Sequence, residues 1–293
     1  MPANRRKIPA LPKCACGQEI PTNVERFIVC GIDVGFPNVR YAERQLERDA
    51  LDTRLSAARV SANARGCRLR LEAFGRIVAT SKTVISRSQD DLCNLLGGNG
   101  ELMQAFYPAV RAGLRMPRNN EFDPQREAND SRVNPFFYAD LHFGALSIDG
   151  RGVPHYGSCA ITLRGDMTCR RTTVFEENPM IFATNHPSGG SDTIPYGYRA
   201  VWGDRAKLAM AKLGTKIEAT TTDEEFSGIL METAERTSGY TDFVEAHLYG
   251  PLHPRAFEHV YAVVVDDEFE RLQWKRMKPK LVSFGITFEE ILL

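Results

Sequence analysis

Three side chains of this sequence have types and settings suited to chemistry. In Phe243-Val-Glu-Ala-His-Leu-Tyr249 a carboxylate and an imidazole alternate with apolar residues. Period-2 alternation predicts a strand that sends Val244, Ala246 and Leu248 to one face and Phe243, Glu245, His247 and Tyr249 to the other. A carboxylate among aromatic rings can meet developing positive charge with little intervening water. Arg87 closes the β-branched run that starts at Thr83 and stands just before Ser88-Gln-Asp-Asp91, a helix-capping signature. A guanidinium where a strand hands over to a helix N-terminus adds a planar fork to backbone N–H donors, which suits a pair of phosphates. Ser147 ends a face formed by Leu141, Phe143 and Ala145. Its hydroxyl can satisfy a nearby backbone group or orient a ribose hydroxyl.

The elements that must position these groups follow from the pattern around them. Five prolines (Pro2, Pro9, Pro12, Pro21 and Pro37) with several glycines predict an extended arm or loop layer up to about residue 38, with Phe27-Ile-Val-Cys30 as a short strand. From Arg40 to about Ala64 apolar residues recur at helical spacing, with Asn38 as the expected cap and Glu43, Arg44, Glu47 and Arg48 on a solvated charged face. Cys67 to Ala79 fits either a helix or a strand. Residues 88–97 and 101–112 are read as helices, and residues 111–134 as a polar connector. Strands are expected at 136–148, 159–163 and 170–178, with 159–163 returning antiparallel after the turn at Asp149-Gly-Arg-Gly152. A loop is expected over 185–197, a helix over 198–212 and loosely helical structure over 220–239. Two strands, 260–265 and 282–288, close the chain.

Composition limits the function classes. The chain has 293 residues, 43% of them hydrophobic, which is enough for a sizeable core. Lys+Arg and Asp+Glu both number 37, so no net charge draws the protein to nucleic acid or an anionic membrane. No apolar run of membrane-spanning length is present, and Met1-Pro-Ala-Asn-Arg-Arg-Lys lacks the apolar segment of a secretory signal. A cytoplasmic protein is therefore expected, and delivery into a host cell would need another route. Seven dispersed cysteines make a poor disulfide framework. Cys14 and Cys16 with Cys30, and no nearby histidine, are read as structural, and no metal is expected. His247, His253 and His259 follow Glu245 and suggest a metal-dependent hydrolase, but Pro251 and Pro254 interrupt any common helix face and no His-Glu-x-x-His motif is present.

An arginine at a strand-to-helix junction, a serine at a strand end and a glutamate on a late strand, in that order, resemble the Arg-Ser-Glu form of the ADP-ribosyltransferase superfamily, here Arg87, Ser147 and Glu245 over roughly residues 76–270. The resemblance implies an α+β fold with a mixed, split β-sheet, a catalytic domain over 76–293, and NAD as co-substrate without a metal. It implies that Glu245 grips the ribose and faces its cationic carbon, that Arg87 anchors the pyrophosphate, so that Arg87→Ala mainly weakens NAD binding, and that Ser147 binds the nicotinamide-side ribose. Tyr156 or Tyr138 would stack on nicotinamide, with His155 beside them. Phe243 stands where arginine-modifying members carry a second acidic residue, which turns the expectation toward a hydroxyl acceptor. Size and layout are similar to bacterial effectors that ADP-ribosylate ubiquitin on a threonine. That likeness implies a protein acceptor, with ubiquitin as the candidate, and makes residues 1–75 a partner-recognition layer. The competing reading is a non-enzymatic interaction module or inactive relative on the same fold.

Overall fold

The computed structural model describes residues 13–21, 24–98, 102–114, 122–186, 194–232, 241–264 and 267–292. Its centre is a sheet of eight strands: β1 (Lys82–Arg87), β2 (Leu141–Ser147), β3 (Cys159–Leu163), β4 (Thr172–Phe175), β5 (Arg199–Val201), β6 (Glu245–Tyr249), β7 (Phe257–Val264) and β8 (Thr287–Leu292). The spatial order is β5-β4-β6-β2-β1-β3-β7-β8. Only the β7–β8 pair at one edge is parallel. The protein is thus a mixed α/β fold on a mixed sheet. The split expected in the sheet is not seen as a break in hydrogen bonding, because β1 and β2 join the two halves through a continuous antiparallel ladder.

Alternation along the central strands sorts their side chains onto two faces. On one, Leu146, Val174 and Val244 pack with Leu51, Leu55, Leu71, Phe74, Leu208 and Leu213 from the helices Gln45–Ala64, Arg68–Val78 and Arg205–Leu213. Ile85, Ile161, Leu248 and Val260 continue that face under the helices Gln89–Gly97 and Glu268–Ser283, meeting Leu92, Leu96, Trp274 and Leu281. Each fully buried Leu or Phe here stabilises the fold by about 1.5–3 kcal/mol. The other face carries Ala145, Phe175, Leu141 and Tyr249 and is covered by Phe137, Val133, Phe182, Val153 and Phe243. The candidate site lies on this second, more polar face.

Several expectations are corrected. The boundary expected near residue 75 falls inside the helix Arg68–Val78, and that helix with Gln45–Ala64 shares the core of β2, β4 and β6, so the helical N-terminal region is built into the sheet packing. Phe27–Cys30 forms a turn, not a strand. Asn38 does not cap; it lies within the helix Pro37–Ala42, and its Nδ2 donates to Arg171 O at 3.0 Å and His247 O at 3.0 Å, tying that helix to β4 and β6. Glu47 leaves the solvated face entirely: it is buried, pairs with Arg199 at 3.2 Å and accepts from Gly197 N at 2.7 Å. The ambiguous stretch after Cys67 is helical. The supposed connector contains the helix Phe122–Val133, whose Pro124 falls in its first turn, where no N–H partner is needed. The strand at 159–163 is antiparallel, but it pairs with β1 and β7 instead of folding back on β2. The tail forms the helix Glu268–Ser283, capped by Asp267 through Phe269 N and Glu270 N, before β8. Much of the loop expected over 185–197 and of the segment 220–239 lies outside the described residues. Among the described residues, no helix is long and apolar enough to cross a membrane.

Candidate functional site

Glu245 opens β6, between Ala145 of β2 and Phe175 of β4. It is 4% exposed. Its Oε2 lies 2.8 Å from His247 Nε2, two residues along the same strand face. The Asn134 amide Nδ2 lies 3.2 Å from His247 Nδ1. Because the amide nitrogen can only donate, Nδ1 accepts and the imidazole proton resides on Nε2, aimed at the carboxylate. The ring is held from both sides, stacked on Phe175 at 5.8 Å and edge-on to Phe143 at 5.1 Å. Burial lowers the His247 pKa to about 3, with the Arg199 charge acting in the same direction, so the imidazole is neutral at physiological pH. Burial also raises the Glu245 carboxyl well above the ordinary carboxylate range.

The setting of Glu245 differs from that of the other buried carboxylates. Glu47 is paired with Arg199, Glu176 with Arg54, Asp242 with Lys212, and Asp130 with Arg126. Among the described residues the one hydrogen-bonding partner of the Glu245 carboxyl is the neutral imidazole, through Oε2, while the Arg126 and Lys212 charges act on it without contact. A buried carboxylate without a contacting cation is costly to fold, and such groups gather at functional sites.

Around this pair stand groups from the helices Phe106–Arg111 and Phe122–Val133 and from the tight turn Pro154–Tyr156. Tyr107 donates its hydroxyl to Asp130 Oδ2 at 2.8 Å, and burial raises the Asp130 pKa to about 6. Arg126 lies 3.6 Å from Asp130 and 4.4 Å above the Phe106 ring, and its charge also acts on Glu245. Tyr156 receives Asn178 Nδ2 on its hydroxyl at 3.0 Å and sets its ring edge-on to Phe243 at 6.3 Å. Burial of that hydroxyl, reinforced by the Glu245 charge, pushes the Tyr156 pKa to about 12, while the residue remains 37% exposed overall.

The three side chains singled out in the sequence do not converge. Ser147 is two residues beyond Ala145, the direct neighbour of Glu245, so it shares the face of Glu245 at a diagonal spacing of about 7–8 Å between backbones. Its hydroxyl, however, closes a turn, with Asp149 Oδ1 at 3.0 Å and Arg151 O at 2.8 Å. The bonding its hydroxyl shows is therefore within its own turn. Arg87 is three residues past Val84, which is level with Ala145 and Glu245. An odd offset puts it on the opposite face, where it pairs with Cys159 of the apolar layer, and its Nη1 donates to Ser86 O at 2.8 Å. Ser147 is level with Lys82 at the other end of β1, about 16 Å along the strand from Arg87.

Of the aromatic candidates, Tyr156 adjoins the Glu245 neighbourhood, and exposed His155 packs against its ring at 5.5 Å. Tyr138 adjoins this neighbourhood through Tyr107, edge-on to it at 5.0 Å with its hydroxyl on Glu127 at 2.7 Å. The three histidines after Glu245 do not gather either. His253 caps Arg255 N at 3.0 Å, and His259 on β7 bonds Thr287 at 2.8 Å, four strands across the sheet from His247. Arg126, Asp130 and Asn134 went unrecognised because the helix that brings them has no apolar period to announce it. A cleft of about 470 Å³, lined by Asp33, Phe36, Arg40, Glu43, Arg170 and Trp202 among others, shares no residue with this site. No protein-family model and no curated protein sequence matches the chain.

Proposed function

We propose that the protein is an NAD-dependent mono-ADP-ribosyltransferase whose chemistry centres on Glu245 and whose acceptor is a hydroxyl of another protein, with a threonine of ubiquitin as the candidate. The observation that carries this reading is the buried Glu245 carboxylate, oriented by a neutral imidazole and without a contacting cation among the described residues. Cleavage of NAD breaks the bond between nicotinamide and the ribose. Its electron pair leaves with nicotinamide, and positive charge spreads over the anomeric carbon and ring oxygen. A desolvated carboxylate stabilises that charge far more than a solvated one would. In this reading Oε1 accepts from the ribose 2-hydroxyl, and the acceptor hydroxyl bonds to the anomeric carbon as its proton leaves to solvent. His247 acts only through Glu245, holding Oε2 and the rotamer. Tyr156 supplies the stacking ring. Arg87 lies on the far face, so the pyrophosphate cation in this reading is Arg126, on the same side as Glu245.

Calorimetric titration with NAD tests the assignment. Arg126→Ala is expected to weaken binding about tenfold, the scale of one charge-assisted contact, and Arg87→Ala to leave it unchanged. Weakening by Arg87→Ala alone would overturn the placement.

The near-complete burial of Glu245 and the internal bonding of Ser147 favour a second reading, a non-enzymatic interaction module. It is expected to show neither NAD binding nor nicotinamide release.

A further inference from the structure

Residues 13–35 contain no helix or strand among those described, only two isolated bridges, Lys13↔Glu19 and Arg26↔Asp33. Their apolar cluster consists of Cys14, Ile20 and Phe27, with Val24 and Val34 against it. Ile28, Val29 and Ile32 stay exposed. So small a core does not hold such a segment in one conformation, and units of this size need a staple. The segment is fastened to the body by Arg40, which donates to Pro21 O at 3.2 Å and Val24 O at 2.9 Å.

Two turns in the segment present cysteines to one another. Gly17 N donates to Cys14 O at 2.8 Å and Gly31 N to Phe27 O at 2.7 Å, and each glycine directly follows a cysteine, at φ 82° and φ 69°. This left-handed conformation is one a side chain would resist. Cys14 and Cys30 bring their sulfurs to 3.3 Å, and the ligand atoms of Cys14, Cys16 and Cys30 all lie within 4.8 Å of one another.

We propose that Cys14, Cys16 and Cys30 together bind one zinc ion, which staples the N-terminal segment and leaves its fourth position to water or a small exogenous ligand. Each ligating thiol releases its proton to solvent, and no electrons are exchanged. Tetrahedral zinc at about 2.3 Å from each sulfur sets sulfurs about 3.8 Å apart, within the span the three already occupy. Thiolates are soft donors, which selects zinc over magnesium or calcium. A Cys14–Cys30 disulfide would account for two of the thiols and leave Cys16 unexplained. The Glu25 charge acts on Tyr249 and Arg171, which puts the segment at the Tyr249 end of β6, away from Glu245; the ion is structural.

The test is metal content of the full chain purified under reducing conditions, followed by removal of the metal and titration with cobalt(II). The expected result is one equivalent of zinc, with cobalt giving thiolate charge-transfer absorption and tetrahedral visible bands. Both should fall at least tenfold in Cys30→Ser and in Cys16→Ser, whose side chain is exposed and tolerates replacement, and persist in Cys93→Ser. Zinc below a tenth of an equivalent with no cobalt spectrum would overturn the proposal. So would metal binding that survives Cys16→Ser and Cys30→Ser, or a Cys14–Cys30 disulfide in the mass spectrum of the reduced preparation.

Discussion

Replacing Glu245 by glutamine should separate a working carboxylate from a merely structural one. The substitution keeps the shape and leaves an amide oxygen where Oε2 accepts from His247 Nε2 at 2.8 Å. It removes a charge buried with only 4% exposure and no contacting cation among the described residues. Burial raises the Glu245 pKa, so the folded state holds this proton more tightly than the unfolded state. Its contribution to stability is therefore lost as pH rises from the unfolded value of about 4.3 through the folded one. Glu245→Gln abolishes that loss. Neutralising a buried charge stabilises by about 1–4 kcal/mol, offset by the new amide nitrogen that finds no partner at the Oε1 position, so the expected net gain is about 1–2 kcal/mol above pH 7.5. His247 titrates in both proteins. Its pKa is depressed to about 3, so its contribution is lost as pH falls from about 6.5 toward that value, and it largely cancels in the difference. Urea unfolding of both proteins from pH 4 to pH 8 measures this directly. The gap should open with rising pH and close near pH 4. A variant less stable than the parent at pH 8, or a gap independent of pH, would refute the reasoning and make Glu245 a structural residue.

Other expectations follow from the same geometry. Arg199→Ala leaves Glu47 buried without its partner and should destabilise the protein by about 3–5 kcal/mol in the same unfolding assay. Gly157→Ala would put a Cβ about 2.1 Å from the Arg87 carbonyl carbon at φ 153°. It should displace the turn carrying Tyr156, cost more than about 2 kcal/mol and weaken NAD binding. Ser147→Ala removes the hydroxyl from Asp149 and Arg151 O, and should cost about 1 kcal/mol of stability while leaving KM for NAD unchanged. A raised KM would instead give Ser147 its ribose.

The sequence carried the central strands, but Arg199–Val201 was read as helix and Phe27–Cys30 as strand, and the convergence was carried poorly, for physical reasons visible in particular elements. Thr83–Arg87 and Val244–Tyr249 announce themselves because β-branched runs and period-2 alternation are local properties, and Ser88 caps its helix through Asp91 N at 3.1 Å as the motif implies. Strand partners are not local. The antiparallel register of β1 on β2 decides that Arg87 and Ser147 lie at opposite ends, and nothing in either strand encodes it. The helix Phe122–Val133 is mostly polar and has no apolar stripe, so periodicity could not reveal the element that brings Arg126, Asp130 and Asn134 towards Glu245 and His247. Glu47 misled in the opposite way, since a charged residue on an amphipathic helix reads as solvated until its tertiary partner Arg199 is known.

The central claim is that Glu245 works on the sugar of NAD, and nicotinamide release tests it most directly. Purified protein would be incubated with NAD carrying a labelled adenine and with candidate acceptor proteins, ubiquitin among them, beside Glu245→Gln at matched folding. The account expects free nicotinamide with label on a protein hydroxyl from the parent chain, and at least a hundredfold less from the variant, roughly the weight of one transition-state electrostatic contact. Equal release by both proteins, or none by a parent chain shown to be folded, would contradict it.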